Sequence, residues 1–197
     1  MSQYDPHVAP GILAAPLEQV KDRLRQLVLE RAVKRGDFTL SSGRKSSYYV
    51  DGKMVTLEPE GLFCLCRVML DLLLENQIEA VGGPTLGADP IAGGIALLSH
   101  LTGSPLAAFI VRKEPKGHGT GKRIEGEIPA GARVAIVEDV ATTAASILRA
   151  VDAVREEMDA RVILATVLLD REEGGRAAIE SAGLQFLPLF TKSELGL

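Results

Sequence analysis

Two adjacent carboxylates, Glu138 and Asp139, stand directly before a stretch rich in hydroxyl and small side chains. The apolar run at residues 134–137 precedes them and is typical of a strand buried on both faces of a parallel sheet, which we expect to end at the acids. Apolar residues at helical spacing follow the hydroxyls, so the predicted order is strand, loop and helix. Such a loop presents unpaired backbone N–H groups and the positive end of a helix dipole, and it can bind an anion.

Acids beside an anion site restrict the chemistry of the ligand. Carboxylates repel a bare phosphate, but they accept hydrogen bonds from ribose hydroxyls and hold hydrated magnesium. A phosphorylated sugar satisfies both halves of the site, with its hydroxyls at Glu138 and Asp139 and its phosphate at the loop. The predicted loop residues are Val140, Ala141, Thr142, Thr143, Ala144, Ala145 and Ser146. The alternative is an ordinary strand-to-helix turn of a doubly wound protein.

The segment from Val137 to Thr143 resembles the phosphoribosyl pyrophosphate (PRPP) motif of the type I phosphoribosyltransferases, which has an apolar strand, two acids and a loop rich in Thr and Gly. The sequence departs from that motif at Ala144 and Ala145, where the family usually has at least one Gly. A left-handed conformation costs a non-Gly residue about 1–2 kcal/mol. The loop is therefore either strained at these alanines or follows another path.

Residues 37–51 predict a hairpin of two short strands, 38–40 and 48–50, around a polar turn at Ser42 and Gly43. The sequence of this stretch resembles the N-terminal signature of the orotate phosphoribosyltransferases. In that family the signature forms part of a hood over the base.

The hood resemblance implies base-site positions for Tyr48 and Tyr49, although both could be ordinary strand aromatics. Some family members carry a Lys where Ser41 stands, so that contact to the pyrophosphate side is absent from this chain.

Residues 80–94 predict a short strand to Gly82, a glycine-rich turn and a helix that starts near Asp89. In the family this turn holds pyrophosphate, and some members have a Tyr-Lys pair where this chain has Leu86 and Gly87. Any contact must then come from the backbone, Thr85 or Asp89. A plain tight turn is the alternative.

A strand at residues 106–111 runs into residues 112–127, which have interleaved glycines and cations and no periodicity. Such a segment is most often a solvated run of charged residues. It resembles the mobile catalytic lid of the orotate phosphoribosyltransferases, which reaches into the neighbouring subunit's site. The resemblance implies a homodimer and pyrophosphate contacts from Arg112, Lys113, Lys116 and His118.

A last long strand at residues 162–169 leads to Asp170 and Arg171. The family resemblance implies that Arg171 pairs with the carboxylate of orotate, for which a planar guanidinium is a natural partner, and that Thr142 also contacts orotate. A surface arginine is the alternative reading. A helix at 177–182 and a strand at 186–189 complete the predicted chain.

The helices predicted in the first part of the chain supply packing surfaces. Apolar spacing from Leu17 predicts an amphipathic helix that ends near Gly36. Residues 58–75 predict a helix with Pro59 in its first turn and apolar residues on nearly every face, which suggests a subunit interface as well as a core.

Composition limits the alternatives. A chain of 197 residues, 46% hydrophobic, can bury one sizeable core, so residues 1–197 are expected to form a single domain. A net charge of −4 with dispersed cations argues against nucleic acid as a partner. The two cysteines, Cys64 and Cys66, are expected as buried thiols. The chain shows no signal peptide or membrane-spanning run, so we expect a soluble, cytoplasmic protein.

These patterns predict an α/β fold with a doubly wound, mainly parallel sheet. The resemblance implies the type I phosphoribosyltransferase fold, with a small hood from the N-terminal segment and the C-terminal segment as a further candidate. It also implies an orotate phosphoribosyltransferase of de novo pyrimidine (UMP) synthesis, with magnesium held mainly through PRPP rather than by protein ligands. Catalytic roles then fall to Lys113, Lys116, His118 and Asp139, and whether His118 or a Lys moves a proton stays open. The alternatives are a phosphoribosyltransferase for another base and a PRPP-sensing regulator without catalysis.

Overall fold

The computed structural model describes residues 15–39, 45–114 and 122–197. Its helices are α1 (Leu17–Leu27), α2 (Lys53–Thr56), α3 (Pro59–Glu75), α4 (Ala88–Leu101), α5 (Ala145–Glu157) and α6 (Gly175–Ser181). Its strands are β1 (Val33–Thr39), β2 (Lys45–Val50), β3 (Ala80–Pro84), β4 (Ala107–Val111), β5 (Ile124–Glu125), β6 (Ala132–Ala141), β7 (Ala160–Asp170), β8 (Gln185–Phe186) and β9 (Phe190–Thr191). A π-helical turn, Val28–Ala32, extends α1, and a 3-10 turn, Ser193–Leu195, lies near the C-terminus.

The main sheet has the strand order β5-β4-β3-β6-β7-β8, and β9 also pairs with β7. Every pairing in it is parallel except that of β5 with β4. The predicted α/β class and mainly parallel sheet are confirmed. Strands β1 and β2 form a separate antiparallel hairpin, longer than the sequence indicated, with a bulge between Arg35 and Phe38.

Two apolar cores cover the two faces of the sheet, as the alternation of β6 illustrates. Ala135 and Val137 pack in the core that α1, α3 and α4 build. Val134 and Ile136 pack in the core that α5 and α6 build. Because successive side chains of a strand point to opposite faces, one buried strand serves both layers of a doubly wound fold.

Strand β6 is longer than predicted. Parallel pairing with β7 continues through Val140↔Leu169 and Ala141↔Asp170. The expectation that the acids end the strand is therefore wrong, because Glu138 and Asp139 lie within β6. Backbone pairing with a neighbour kept polar residues in an extended conformation, and apolar patterning alone does not reveal such pairing.

The first helix ends earlier than predicted. Helical structure stops at Ala32, and Val33 begins β1 by pairing with Val50. Gly36 lies inside the strand rather than at a helix end. Val33 fits the helical spacing, yet the hairpin determines its conformation.

Helix α3 begins as predicted, with Pro59 in its first turn and the Glu58 carboxylate accepting a hydrogen bond from the Gly61 amide at 2.6 Å. Most of its apolar residues are covered inside the chain, where α1 and α4 pack against it. Cys64 and Cys66 are buried free thiols, as expected, and burial raises the pKa of Cys66 to about 12. Among the described residues, no helix has the length and apolar character needed to cross a bilayer.

The C-terminal part differs from prediction in its details. Helix α6 begins two residues before the predicted start, at Gly175. The predicted strand at 186–189 is instead two short strands, β8 and β9, each paired with β7. Leu187 and Leu189 lie between them and donate backbone hydrogen bonds to β7.

Candidate active site

The segments that the sequence analysis singled out meet at one edge of the sheet. Strands β3, β4, β6 and β7 are mutually parallel, so their carboxyl ends lie on the same side. The glycine-rich turn follows β3, Arg112 follows β4, Thr142 follows β6 and Arg171 follows β7. This edge is the position where open α/β sheets bind ligands.

The Asp139 carboxylate is held between two backbone segments and is only 7% exposed. A methyl group placed on Gly87 would lie 2.7 Å from Asp139 Oδ1, and one on Gly52 would lie 2.8 Å from Oδ2. Neither approach leaves room for a side chain. The turn after β3 and the segment after β2 therefore both pack against one carboxylate.

Glu138, the neighbouring acid on β6, is half-buried. Burial raises the pKa of its carboxyl to about 7, and the neighbouring charge of Asp139 adds to that rise. The Ser146 hydroxyl opposes the rise by donating a hydrogen bond to Glu138 Oε2 at 2.7 Å. The hydroxyl of Ser146, which the sequence analysis assigned to a phosphate, is thus bonded to an acid.

Lys53 is a residue of this site that the sequence analysis missed. Its Nζ lies 3.5 Å from Asp139 Oδ2 and 3.4 Å from Asp51 Oδ1, and half of its side chain is exposed. Partial burial lowers the pKa of Lys53, but the two carboxylates outweigh that effect and raise it. Its position directly after a predicted hairpin was visible in the sequence, whereas its pairing with Asp139, 86 positions away, was not.

The loop after β6 is braced from behind. The Thr142 carbonyl accepts a hydrogen bond from the Gly175 amide at 3.0 Å, and a methyl group on Gly175 would lie 2.8 Å from that oxygen. Thr143 and Ala145 are exposed at the start of α5. The first amides of this 13-residue helix lack helical acceptors, an arrangement that suits an anion.

Val140 and Ala141 do not belong to that loop. Both lie in β6, where the Val140 amide donates to Asp139 Oδ1 at 2.9 Å and the Ala141 carbonyl accepts from the Arg171 amide at 2.9 Å. The loop proper is therefore shorter than the predicted one.

Ala144 adopts a left-handed conformation, with φ +62°, immediately before α5. Of the two alternatives for the loop, the strained one is correct at Ala144. Its methyl group is 3% exposed and packs in the core beneath α5. This burial offsets part of the cost of the left-handed backbone.

Arg171 is buried, so the alternative prediction of a surface arginine is wrong. Its guanidinium forms an ion pair with Glu173 at 2.9 Å and lies 5.6 Å from the centroid of the Tyr48 ring. Its Nε is buried without a hydrogen-bond partner among the described residues, so one donor is left for a ligand.

The two hood tyrosines lie in different surroundings. Tyr48 packs in the core against Arg171, and Lys192 from the C-terminal segment lies 5.6 Å from the same ring. Tyr49 is 41% exposed and packs against Phe38, with ring centroids 5.8 Å apart and ring planes tilted by 38°.

The segment predicted as a lid is anchored at both ends. The Arg112 amide donates to the Arg123 carbonyl at 2.8 Å, and β5 pairs with β4 just beyond. Arg123 donates to Glu157 through Nε at 2.6 Å, which fixes it on α5. These contacts bring Arg112 and Arg123 together at the base of the predicted lid. Lys113 is exposed, and Lys116 and His118 lie outside the described residues.

Thr85 and Asp89, the predicted side-chain contacts of the glycine-rich turn, bond to each other. The Thr85 hydroxyl donates to Asp89 Oδ2 at 2.7 Å, and the Thr85 amide donates to the Val111 carbonyl. The peptide bond between Thr85 and Leu86 is cis, and Leu86 is 71% exposed.

Comparison with known proteins identifies close relatives. No family model matches the chain. An orotate phosphoribosyltransferase from Aquifex aeolicus is 47% identical over 178 residues, which cover 89% of this chain and 97% of the relative.

Solved structures agree with this relationship. The orotate phosphoribosyltransferase of Mycobacterium tuberculosis in complex with Fe(III) dicitrate superposes with a TM-score of 0.80 at 40% identity, covering 90% of this chain and 99% of that one. The same Mycobacterium tuberculosis enzyme in complex with PRPP superposes with a TM-score of 0.76 at 38% identity, and the match covers 90% of this chain and 99% of that one.

The conformation of Ala144 generates a prediction about the loop. Because the positive φ of Ala144 is part of the fold of the loop, Ala144→Gly should relieve the same strain in the free and the bound protein, and we expect the affinity for PRPP with magnesium to change by less than about twofold. Calorimetric titration measures it, with Ala145→Gly as the matched control. A tightening of about tenfold would mean that the loop becomes more strained as it closes on the phosphate.

Proposed function

The chain belongs to the orotate phosphoribosyltransferase family, and from this premise we propose that it transfers the ribose 5-phosphate of PRPP to orotate, giving orotidine 5′-phosphate and pyrophosphate. The reaction is a step of de novo UMP synthesis. One juxtaposition carries the proposal: the acids of β6, the amides that begin α5 and the buried Arg171 beside Tyr48 share one edge of the sheet.

The reaction sets two requirements for the site. The bond between C1 of the ribose and the pyrophosphate oxygen breaks as N1 of orotate bonds to C1, and positive charge develops on the ribose. The site must therefore stabilise the charge on the departing pyrophosphate and exclude water, and no protein nucleophile is required.

We assign the PRPP contacts as follows. Thr142, Thr143 and the first amides of α5 hold the 5′-phosphate. Asp139 and Glu138 accept hydrogen bonds from the ribose hydroxyls.

We assign the contacts to the pyrophosphate to the cations of the predicted lid. They are Arg112, Lys113, Lys116 and His118. Neutralising the leaving group requires positive charge at that end of the site.

The orotate contacts belong to Arg171 and the hood. The carboxylate of orotate is a natural partner for Arg171 Nε, which bonds to none of the described residues. Tyr48 keeps that guanidinium in place. This arrangement favours a base that carries a carboxylate over adenine or uracil.

Magnesium fits the donor set of this edge. Asp139 and Glu138 offer the oxygen ligands that this ion prefers, and their carboxylates stand beside the ribose position. The described residues contain no cluster of three or more metal-ligating side chains. We propose that oxygens of PRPP hold most of the ion. Bound there, magnesium would neutralise pyrophosphate charge.

The proposed reaction has a direct test. Loss of orotate absorbance should require PRPP and magnesium together. Equal turnover of adenine or uracil would overturn the choice of base. Binding of PRPP without turnover of any base would favour the non-catalytic regulator.

Arg171→Ala should raise the orotate KM about tenfold to a hundredfold and leave the PRPP KM within about twofold, because it removes a charge-assisted contact to one substrate of about 1.5–3 kcal/mol. Steady-state kinetics with each substrate varied in turn measures the effect.

Arg171→Lys is the matched variant, since it keeps a charge beside Glu173 and loses the planar fork. Thermal unfolding of both variants controls for misfolding of this buried pair. Similar changes in both KM values would reject the assignment to orotate.

We propose that the protein acts as a homodimer in which each lid completes the partner's site. Apolar residues exposed on α4 support a subunit contact: Leu97 is 64% exposed and Leu101, one turn later, is 63% exposed. Exposed leucines one turn apart on a helix favour burial against another surface.

Mixing two inactive variants tests the shared site. Lys116→Ala removes a lid cation and Asp139→Asn removes a ribose contact, so a mixed dimer has one intact site only if the lid acts in trans. Random subunit exchange should then restore about a quarter of the wild-type activity, because half of the dimers are mixed and each has one working site. No recovery after verified exchange would show that each site is complete within one subunit.

A further inference from the structure

Lys53 is a cation that lies among the acids of the candidate site. Its ammonium lies within ion-pair distance of both Asp51 and Asp139, and its side chain is half exposed. The preceding residue, Gly52, packs against Asp139 Oδ2, and Gly87 packs against Oδ1 of the same carboxylate. Lys53 and the glycine-rich turn therefore approach a single acid from its two sides.

The turn itself supplies no positive charge. Residues 84–87 are Pro, Thr, Leu and Gly. A side chain at Gly87 would collide with Asp139 Oδ1 at 2.7 Å and with Glu138 Cγ at 3.3 Å. A cation for this side of the site must come from another segment, and Lys53 is the cation that the described residues place against Asp139.

The energetics favour a role in binding over a role in folding. A half-exposed ion pair contributes little to stability, because water screens it. Asp139 is different, since it is 7% exposed and its orientation sets where ribose hydroxyls can bond. An anionic substrate must also approach Asp51, Glu138 and Asp139, and one ammonium among them reduces that repulsion.

We propose that Lys53 is a positioning residue for PRPP, which holds the Asp139 carboxylate towards the ribose hydroxyls and offsets the negative charge that the pyrophosphate end meets. The inference rests on the proposed function for the identity of the ligand. We therefore assign to Lys53, which lies outside the glycine-rich turn, the positive charge that this turn lacks.

Calorimetric titration of PRPP with magnesium, without orotate, tests the assignment directly. Lys53→Met should weaken binding about tenfold, the size of one charge-assisted contact at a half-exposed position. Lys53→Arg should stay within about threefold, because it keeps the charge. Arg161→Met is the matched control, since Arg161 is exposed at the amino end of β7, the opposite edge of the sheet, and its loss should leave the affinity unchanged.

A double-mutant cycle separates positioning from a merely structural role. If Lys53 acts through Asp139, Lys53→Met should weaken binding by less than about twofold when Asp139→Asn is already present. The same tenfold loss in both backgrounds would reject action through Asp139, and equal affinities for Lys53→Met and Arg161→Met would reject the proposal altogether. An unfolding midpoint that falls with the affinity would reassign Lys53 to folding.

Turnover of orotate by the wild-type protein is measured in parallel. Turnover without any effect of Lys53→Met on PRPP affinity overturns this inference alone. Normal PRPP binding with the expected Lys53 effect, but no turnover of orotate, overturns the proposed function alone. No binding of PRPP by the wild-type protein overturns both.

Discussion

Parallel pairing between β6 and β7 fixes the positions of the residues on which the site depends. The pairing reaches Ala141 and Asp170, so both strands end at the same level, and the Arg171 amide bonds to the Ala141 carbonyl. The acids of β6, the loop into α5 and the guanidinium after β7 consequently share one edge. Helices on both faces bury these strands, which makes that edge rigid enough to hold polar groups in defined orientations.

Close backbone approaches complete this edge. Gly52 and Gly87 confine Asp139 from two sides, and Gly175 supports the Thr142 carbonyl. In each case a Cβ atom would stand less than 3 Å from its neighbour, so the absence of a side chain is what allows the segments to meet. Ala144 accepts a left-handed backbone at the same edge, with its methyl group buried in the core below.

Charge at the site is arranged in opposing sets. Carboxylates at Asp51, Glu138 and Asp139 suit hydroxyl groups and a hydrated cation, whereas helix amides and guanidinium groups suit phosphate and carboxylate. Burial raises the pKa of Glu138 to about 7, and Lys53 pairs with Asp51 and Asp139. These two features reduce the repulsion that an anionic substrate would otherwise meet.

The sequence alone determined the fold class, the order of most elements and the family. Buried apolar runs alternating with helical spacing specify a doubly wound parallel sheet, and the motifs of residues 137–143 and 37–51 are local in the chain. Hence strand, loop and helix around Glu138 and Asp139 were predicted, as was the hairpin with Tyr48.

Tertiary structure decided what depends on contacts between distant segments. Pairing with β7 carried β6 past the acids, pairing with Val50 drew Val33 out of the first helix, and packing against Tyr48 buried Arg171. The ion pair of Lys53 with Asp139 joins residues 86 positions apart, and no local pattern encodes it. Sequence periodicity reports which face of an element is apolar, whereas only the folded chain determines which polar groups meet across the edge of the sheet.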